Sequence, residues 1–157
     1  MDRIGQDKML SELVVHNLAV IRHLEVCFGP GLNVLSGETG AGKSILVGAV
    51  NLILGSRASQ ELIRAGAREA VVEAVFKLPR KESLSRYLDD LGQDFTGELV
   101  IIRTLNRSGR SRIFVNDQLV TLQQFQPLAN YLASISGQHE HQSLLNPELH
   151  IELLDAF

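Results

Sequence analysis

Gly37, Glu38, Thr39, Gly40, Ala41, Gly42, Lys43 and Ser44 fit the pattern G-x-x-x-x-G-K-[ST] without a mismatch. Glycines at 37, 40 and 42 allow backbone conformations closed to other residues, so successive N–H groups can turn toward one anion. A helix beginning there adds the positive end of its dipole. In this pattern the lysine, Lys43, reaches the β- and γ-phosphate oxygens as a point charge, and the Ser44 hydroxyl is offered to magnesium. The chemistry implied is binding of a nucleoside triphosphate, ATP with Mg2+. Position matters as much as spelling: the apolar run Leu32 to Ser36 predicts a strand before the loop. Lys43 to Leu54 carries apolar residues at helical spacing until Gly55 stops it.

Hydrolysis by such a site also requires an acid at the end of a buried strand to hold magnesium, and a group to orient water. Asp89 after Tyr87-Leu88 and Asp155 after Leu153-Leu154 imitate that arrangement, but both fall in amphipathic helical segments and read as solvated surface acids. The remainder of a hydrolytic site is therefore expected beyond these residues. Arg103, Arg107, Arg110 and Arg112 concentrate positive charge around the turn Asn106 to Ser111. That suggests contact with DNA phosphates or, more plainly, a well-solvated turn; no aromatic residue stands at the tip to stack on bases. His139, His141 and His150 lack a cysteine or converging acids and read as poor metal ligands. Cys27, the only cysteine, reads as a small strand residue rather than a nucleophile.

The elements that must position this chemistry are short. Leu10 to Val15 and Leu24 to Phe28 read as paired strands, with Gly29-Pro30-Gly31 supplying turn chemistry. Ala70 to Leu78 is a Val-rich strand, and Glu98 to Leu105 with Arg112 to Val115 form the arms of a hairpin. Asn116-Asp117 is a tight turn, and Leu122 to Leu132 a helix. Ala133 to Ser136 reads as a buried strand and Pro147 to Phe157 as the opening of another helix. Met1 to Lys8 lacks periodicity and reads as a disordered leader before a single unit from 9 to 157. A net charge of −3 excludes a surface that binds polyanions everywhere. One cysteine excludes a disulfide framework and multi-cysteine zinc sites and suits a reducing cytoplasm; no apolar run or signal-peptide core points to a membrane or to export.

Beyond the phosphate loop, the stretches LSELVVHNLAVIRHL at Leu10 to Leu24, LGSRA at Leu54 to Ala58, LIRAG at Leu62 to Gly66 and GQHEHQ at Gly137 to Gln142 resemble the RecN family of bacterial DNA-repair ATPases. The resemblance runs from about Met9 to Phe157. It implies an α/β P-loop fold: the N-terminal lobe of an ABC-type ATPase head with a mixed or antiparallel β subdomain. In that family a long coiled coil and a C-terminal lobe follow, bringing the Walker B acids and the signature motif. The resemblance also implies ATP-driven engagement of a second head, DNA as ligand, and a cytoplasmic, nucleoid-associated protein acting in double-strand break repair and recombination. Residue by residue, Gln138 takes the place of the Q-loop glutamine that contacts magnesium and the attacking water, with Gln142 as the alternative. Arg64 takes the place of an arginine near the nucleotide that couples DNA to hydrolysis, or else is a solvated helix arginine. Asn17 and Arg57 are expected near the base or ribose, or are merely strand-end and turn residues. Alternatives are the head of another SMC or RecF-like protein, a nucleotide-binding module without turnover, and a free-standing kinase, which would need a lid and its own magnesium acid.

Overall fold

The computed structural model describes residues 9–36 and 41–132. In chain order these form β1 (Met9–Leu18), β2 (Ile21–Cys27), α1 (Ala41–Ile53), β3 (Glu69–Lys77), α2 (Glu82–Asp90), β4 (Glu98–Asn106), β5 (Ser111–Val115), β6 (Gln118–Val120) and α3 (Leu122–Leu132). A single 3₁₀ turn at Gln60–Leu62 lies between α1 and β3. The strands make one six-stranded sheet in the order β2-β1-β3-β4-β5-β6, and each neighbouring pair is antiparallel.

Period-two alternation explains which side of this sheet is buried. Leu13 and Val15 of β1, Ala70, Val72, Ala74 and Phe76 of β3, and Leu99, Ile101 and Leu105 of β4 all turn inward. They form one core with Ala49, Leu52 and Ile53 of α1, Leu84 and Leu88 of α2, and Phe125, Leu128, Ala129 and Leu132 of α3. Two hairpins are set by left-handed residues. Asn116 and Asp117 have φ of 44° and 69°, the pair of positive values that a two-residue type I′ connection needs. Asn17 and Ala19, at φ 53° and 49°, turn β1 into β2. Helix α3 opens with a capping box: Gln124 N–H donates to Thr121 Oγ1 at 3.2 Å, and Gln124 Oε1 accepts from Thr121 N–H at 2.9 Å.

Two expectations need correction. The strands β1 and β2 pair as expected, but they turn at Ala19-Val20, and Gly29-Pro30-Gly31 follows β2 instead of linking the pair. The predicted strand Leu32 to Ser36 does not form: these residues have no regular structure, with Leu32 91% and Val34 76% exposed. An apolar run becomes a strand only when it has a ladder to join, and β2 and β6 form the edges of this sheet without it. Instead Asn33 folds back, its Nδ2 donating to the Gly29 carbonyl at 2.8 Å while its Oδ1 accepts from the Gly29 N–H at 3.0 Å. Residues 1–8, the expected strand at 133–136 and the expected helix at 147–157 lie outside the described residues.

Candidate functional site

Helix α1 places Gly42, Lys43 and Ser44 in its first turn, with Lys43 half-buried and Ser44 exposed. No acid occupies that turn to oppose an incoming anion. At 13 residues the helix spans about 20 Å. Its far end is closed by a Schellman cap, in which Ser56 N–H reaches the Asn51 carbonyl at 3.0 Å and Gly55 N–H the Leu52 carbonyl at 3.1 Å, with Gly55 at φ 89°. Ala49, Leu52 and Ile53 bury the helix against the sheet, so the orientation of its first turn is fixed by core packing. Gly37, Glu38, Thr39 and Gly40, together with Gln138, Gln142, Asp155 and the three histidines at 139, 141 and 150, lie outside the described residues. Asp89 is exposed on α2, as its helical periodicity predicts.

Asn17 and Arg64 are brought together. The Asn17 carbonyl accepts from Arg64 N–H at 2.9 Å, and both residues line a groove of about 460 Å3 with Arg22, Arg68 and Glu69. Arg64 is not a helix residue: it follows the 3₁₀ turn, is half-buried, and its Nη1 donates to the Val20 carbonyl in the β1–β2 turn. Arg107 ties the same loop to the β4–β5 hairpin, its Nε donating to the Ala67 carbonyl at 2.7 Å and its Nη2 to the Arg64 carbonyl at 3.1 Å. The tip of that hairpin is organised by Asn106, whose Oδ1 accepts from Arg110 N–H at 3.0 Å and from the Ser108 hydroxyl at 2.7 Å. Arg57 and Arg110 line a second groove, of about 560 Å3, between this tip and residues 57–61.

Arg103 must be removed from the exposed arginine group. It is 4% exposed, on the inward face between Ile101 and Leu105. Its Nε donates to Ser111 Oγ at 2.7 Å and its Nη2 to the Ser56 carbonyl at 3.4 Å, while Nη1 is buried without a hydrogen bond. Burial lowers the guanidinium pKa from its ordinary value, because desolvation disfavours the charged form. Such a side chain pins the hairpin to the end of α1 and cannot reach a DNA phosphate. Arg110 and Arg112 are exposed, and Arg22 and Arg68 join them at the same end of the sheet. The last two were missed from the sequence, although the β1–β2 turn and the start of β3 carry them there.

A helix packed on an antiparallel sheet in this order is a fold shared with SMC and RecF head structures. The chain belongs to the AAA domain family, whose model matches residues 12–126. It is similar to the DNA repair protein RecN of Halalkalibacterium halodurans, at 43% identity over 150 residues, and of Bacillus subtilis, at 40% over 150 residues. Each match covers 95% of this chain and 26% of the relative. The chain thus spans about a quarter of the length of the curated relatives it matches. Among solved structures, one from work on ATP-driven dimerization and DNA-stimulated activation of SMC ATPases superposes with a TM-score of 0.65 at 23% identity, covering 93% of this chain and 97% of its own. The recombination mediator RecF in its ATP form superposes at 0.60 with 20% identity, covering 77% of this chain and 30% of its own. No helix among the described residues is long and apolar enough to cross a membrane.

Proposed function

We propose that this chain is the ATP-binding part of a RecN-like ATPase acting in repair of DNA double-strand breaks and in recombination. The observation that carries the reading is the first turn of α1, where Lys43 and Ser44 stand at the positive end of a helix held on the sheet by its buried face. The glycine-rich residues 37–42 would wrap the phosphates, Lys43 would neutralise the β- and γ-oxygens, and Ser44 would supply one oxygen to magnesium. Magnesium fits as an ion brought with the phosphates: Ser44 offers a single exposed hydroxyl, and no cluster of three or more His, Cys, Asp or Glu among the described residues is placed to hold a metal. Gln138 would orient the attacking water, and Arg64 and Asn17 would serve the nucleotide from the side of their groove.

The similarity to RecN, the AAA domain family and the ATP-driven dimerization of the SMC ATPases it resembles in fold support a cycle in which ATP joins two heads and hydrolysis parts them. The remainder of a RecN-length protein would cover the apolar segment 32–36 and bring the missing acid, and a second copy would close over the nucleotide. Taken alone, the chain binds ATP without significant turnover. DNA would lie against exposed Arg110 and Arg112, with Arg107 already engaged by loop carbonyls. The working compartment of such a protein is the cytoplasm, at the nucleoid.

The test is titration with a fluorescent ATP analogue and magnesium, beside a steady-state ATPase assay, for wild type and Lys43→Ala. Binding that the substitution weakens at least about tenfold, a loss of roughly 1.4 kcal/mol, without turnover in either protein, is the expected result. Robust turnover by wild type would show a complete enzyme of another P-loop branch, and binding indifferent to Lys43 would remove the phosphate site.

A further inference from the structure

Two of the chain's five histidines meet across the β1–β2 hairpin. With Leu18 opposite Ile21, His16 falls opposite His23, and both side chains are exposed. Their Nδ1 atoms are 3.3 Å apart, the ring centroids 4.5 Å apart, and the ring planes inclined by 32°. When one ring carries its proton on Nδ1 the two share a hydrogen bond. With both Nδ1 atoms unprotonated, two lone pairs stand side by side.

That spacing has a chemical meaning. A zinc ion bound at about 2.0–2.1 Å from each imidazole nitrogen, with a tetrahedral angle between them, requires nitrogens about 3.3 Å apart. An octahedral ion with bonds of about 2.1 Å would draw neighbouring ligands to about 3.0 Å. The strands need not move to accept zinc; only the soft χ2 torsions must turn the lone pairs together. We propose that His16 and His23 form a binding site for a divalent late-transition-metal ion, zinc by this geometry, with water completing the coordination. Two protein ligands make the site exchangeable, in keeping with the absence of any larger ligand cluster among the described residues. Glu25, two residues beyond His23 on the same face of β2, adds a favourable charge nearby.

The place of the pair gives the site a consequence. The β1–β2 turn accepts Arg64 through the Val20 carbonyl, and Ala19 N–H donates to the Leu62 carbonyl at 2.7 Å. A metal bridging the two strands next to that turn stiffens the support of the Asn17–Arg64 groove and places positive charge beside it.

The experiment is calorimetric titration of the chain with zinc chloride, with melting temperature as a second readout. The background carries His139→Ala, His141→Ala, His150→Ala and Cys27→Ser, which removes every other histidine and the thiol. One zinc ion should bind and raise the melting temperature, and magnesium should do neither. His16→Ala and His23→Ala, at exposed positions, should each weaken zinc binding at least about tenfold, since loss of even an outer-shell partner costs that much. Metal-free melting temperatures of the variants confirm that the fold is retained. No binding in the background protein, or binding that survives either substitution unchanged, overturns the proposal.

Discussion

Replacing Gly55 and Gly48 by alanine, one at a time, should move stability in opposite directions, and the structure gives both magnitudes. Gly55 ends α1 at φ 89°, where a side chain costs about 1–2 kcal/mol in backbone strain. A Cβ there would also meet Leu122 Cδ1 at 3.3 Å and Phe125 Cδ1 at 3.6 Å, so α3 must give way slightly. The lower entropy of the unfolded alanine chain offsets about 0.4–1 kcal/mol of this, so strain alone leaves about 0–1.6 kcal/mol, and the forced shift of α3 brings the net loss to about 1–2 kcal/mol. Gly48 lies inside α1 with nothing within 4 Å of the Cβ position, so alanine gains helix propensity of about 0.8–1 kcal/mol without a clash. For a chain of this size the melting temperature should fall by roughly 2–8 °C in Gly55→Ala and rise by roughly 2–4 °C in Gly48→Ala. Gly55→Asn should lie between Gly55→Ala and wild type, because asparagine tolerates the left-handed cap. Thermal unfolding followed by circular dichroism reads all three. A Gly55→Ala protein as stable as wild type, or both alanines shifting stability the same way, would refute the assigned Schellman end and the contact with α3.

The arginines separate by burial. Arg110→Gln and Arg112→Gln should each reduce the slope of log K for DNA against log salt by about 1, measured by fluorescence anisotropy, with no change in melting temperature. Arg103→Gln should leave the salt slope alone but lower stability by about 1–3 kcal/mol in urea unfolding, because the Ser56 carbonyl and Ser111 hydroxyl lose a partner inside the fold. Phe125→Ala, which empties a fully buried ring site beneath α3, should cost about 3–5 kcal/mol by the same assay.

The sheet was largely legible because its signals are local. The left-handed pair Asn116-Asp117, the alternation in β3 and the charged turn between β4 and β5 each specify a strand boundary without reference to the rest of the chain. Errors arose where partners decide. Leu32 to Ser36 has the composition of a strand but no ladder among the described residues. Arg103 was read with its charged neighbours because β4 is apolar on both faces: Val100 and Ile102 alternate with Leu99 and Ile101, so hydropathy does not fix which face an arginine takes. The His16–His23 contact was hidden by the Gly-Pro-Gly sequence, which marks a turn more loudly than Ala19-Val20 does. Register, not composition, brings those rings together. The placement of Lys43 and Ser44 in the first turn of a helix was legible because the apolar residues after the loop recur at helical spacing. The contact of Asn17 with Arg64 was not legible in the sequence, since they sit on opposite sides of α1 in the chain.

Arg64 and Arg107 hold the loop between the 3₁₀ turn and β3 by gripping main-chain oxygens, those of Val20, Ala67 and Arg64 itself. Every amino acid carries that oxygen, so the grip is indifferent to which residue supplies it. In a saturation mutagenesis screen, exposed position 20 should therefore accept a wide range of side chains while position 107 accepts almost none, lysine included, because an ammonium lacks the forked donors that span the Ala67 and Arg64 carbonyls. Evolution can thus redecorate the surface of this loop, and with it whatever the groove meets, while its position stays fixed by two guanidinium groups.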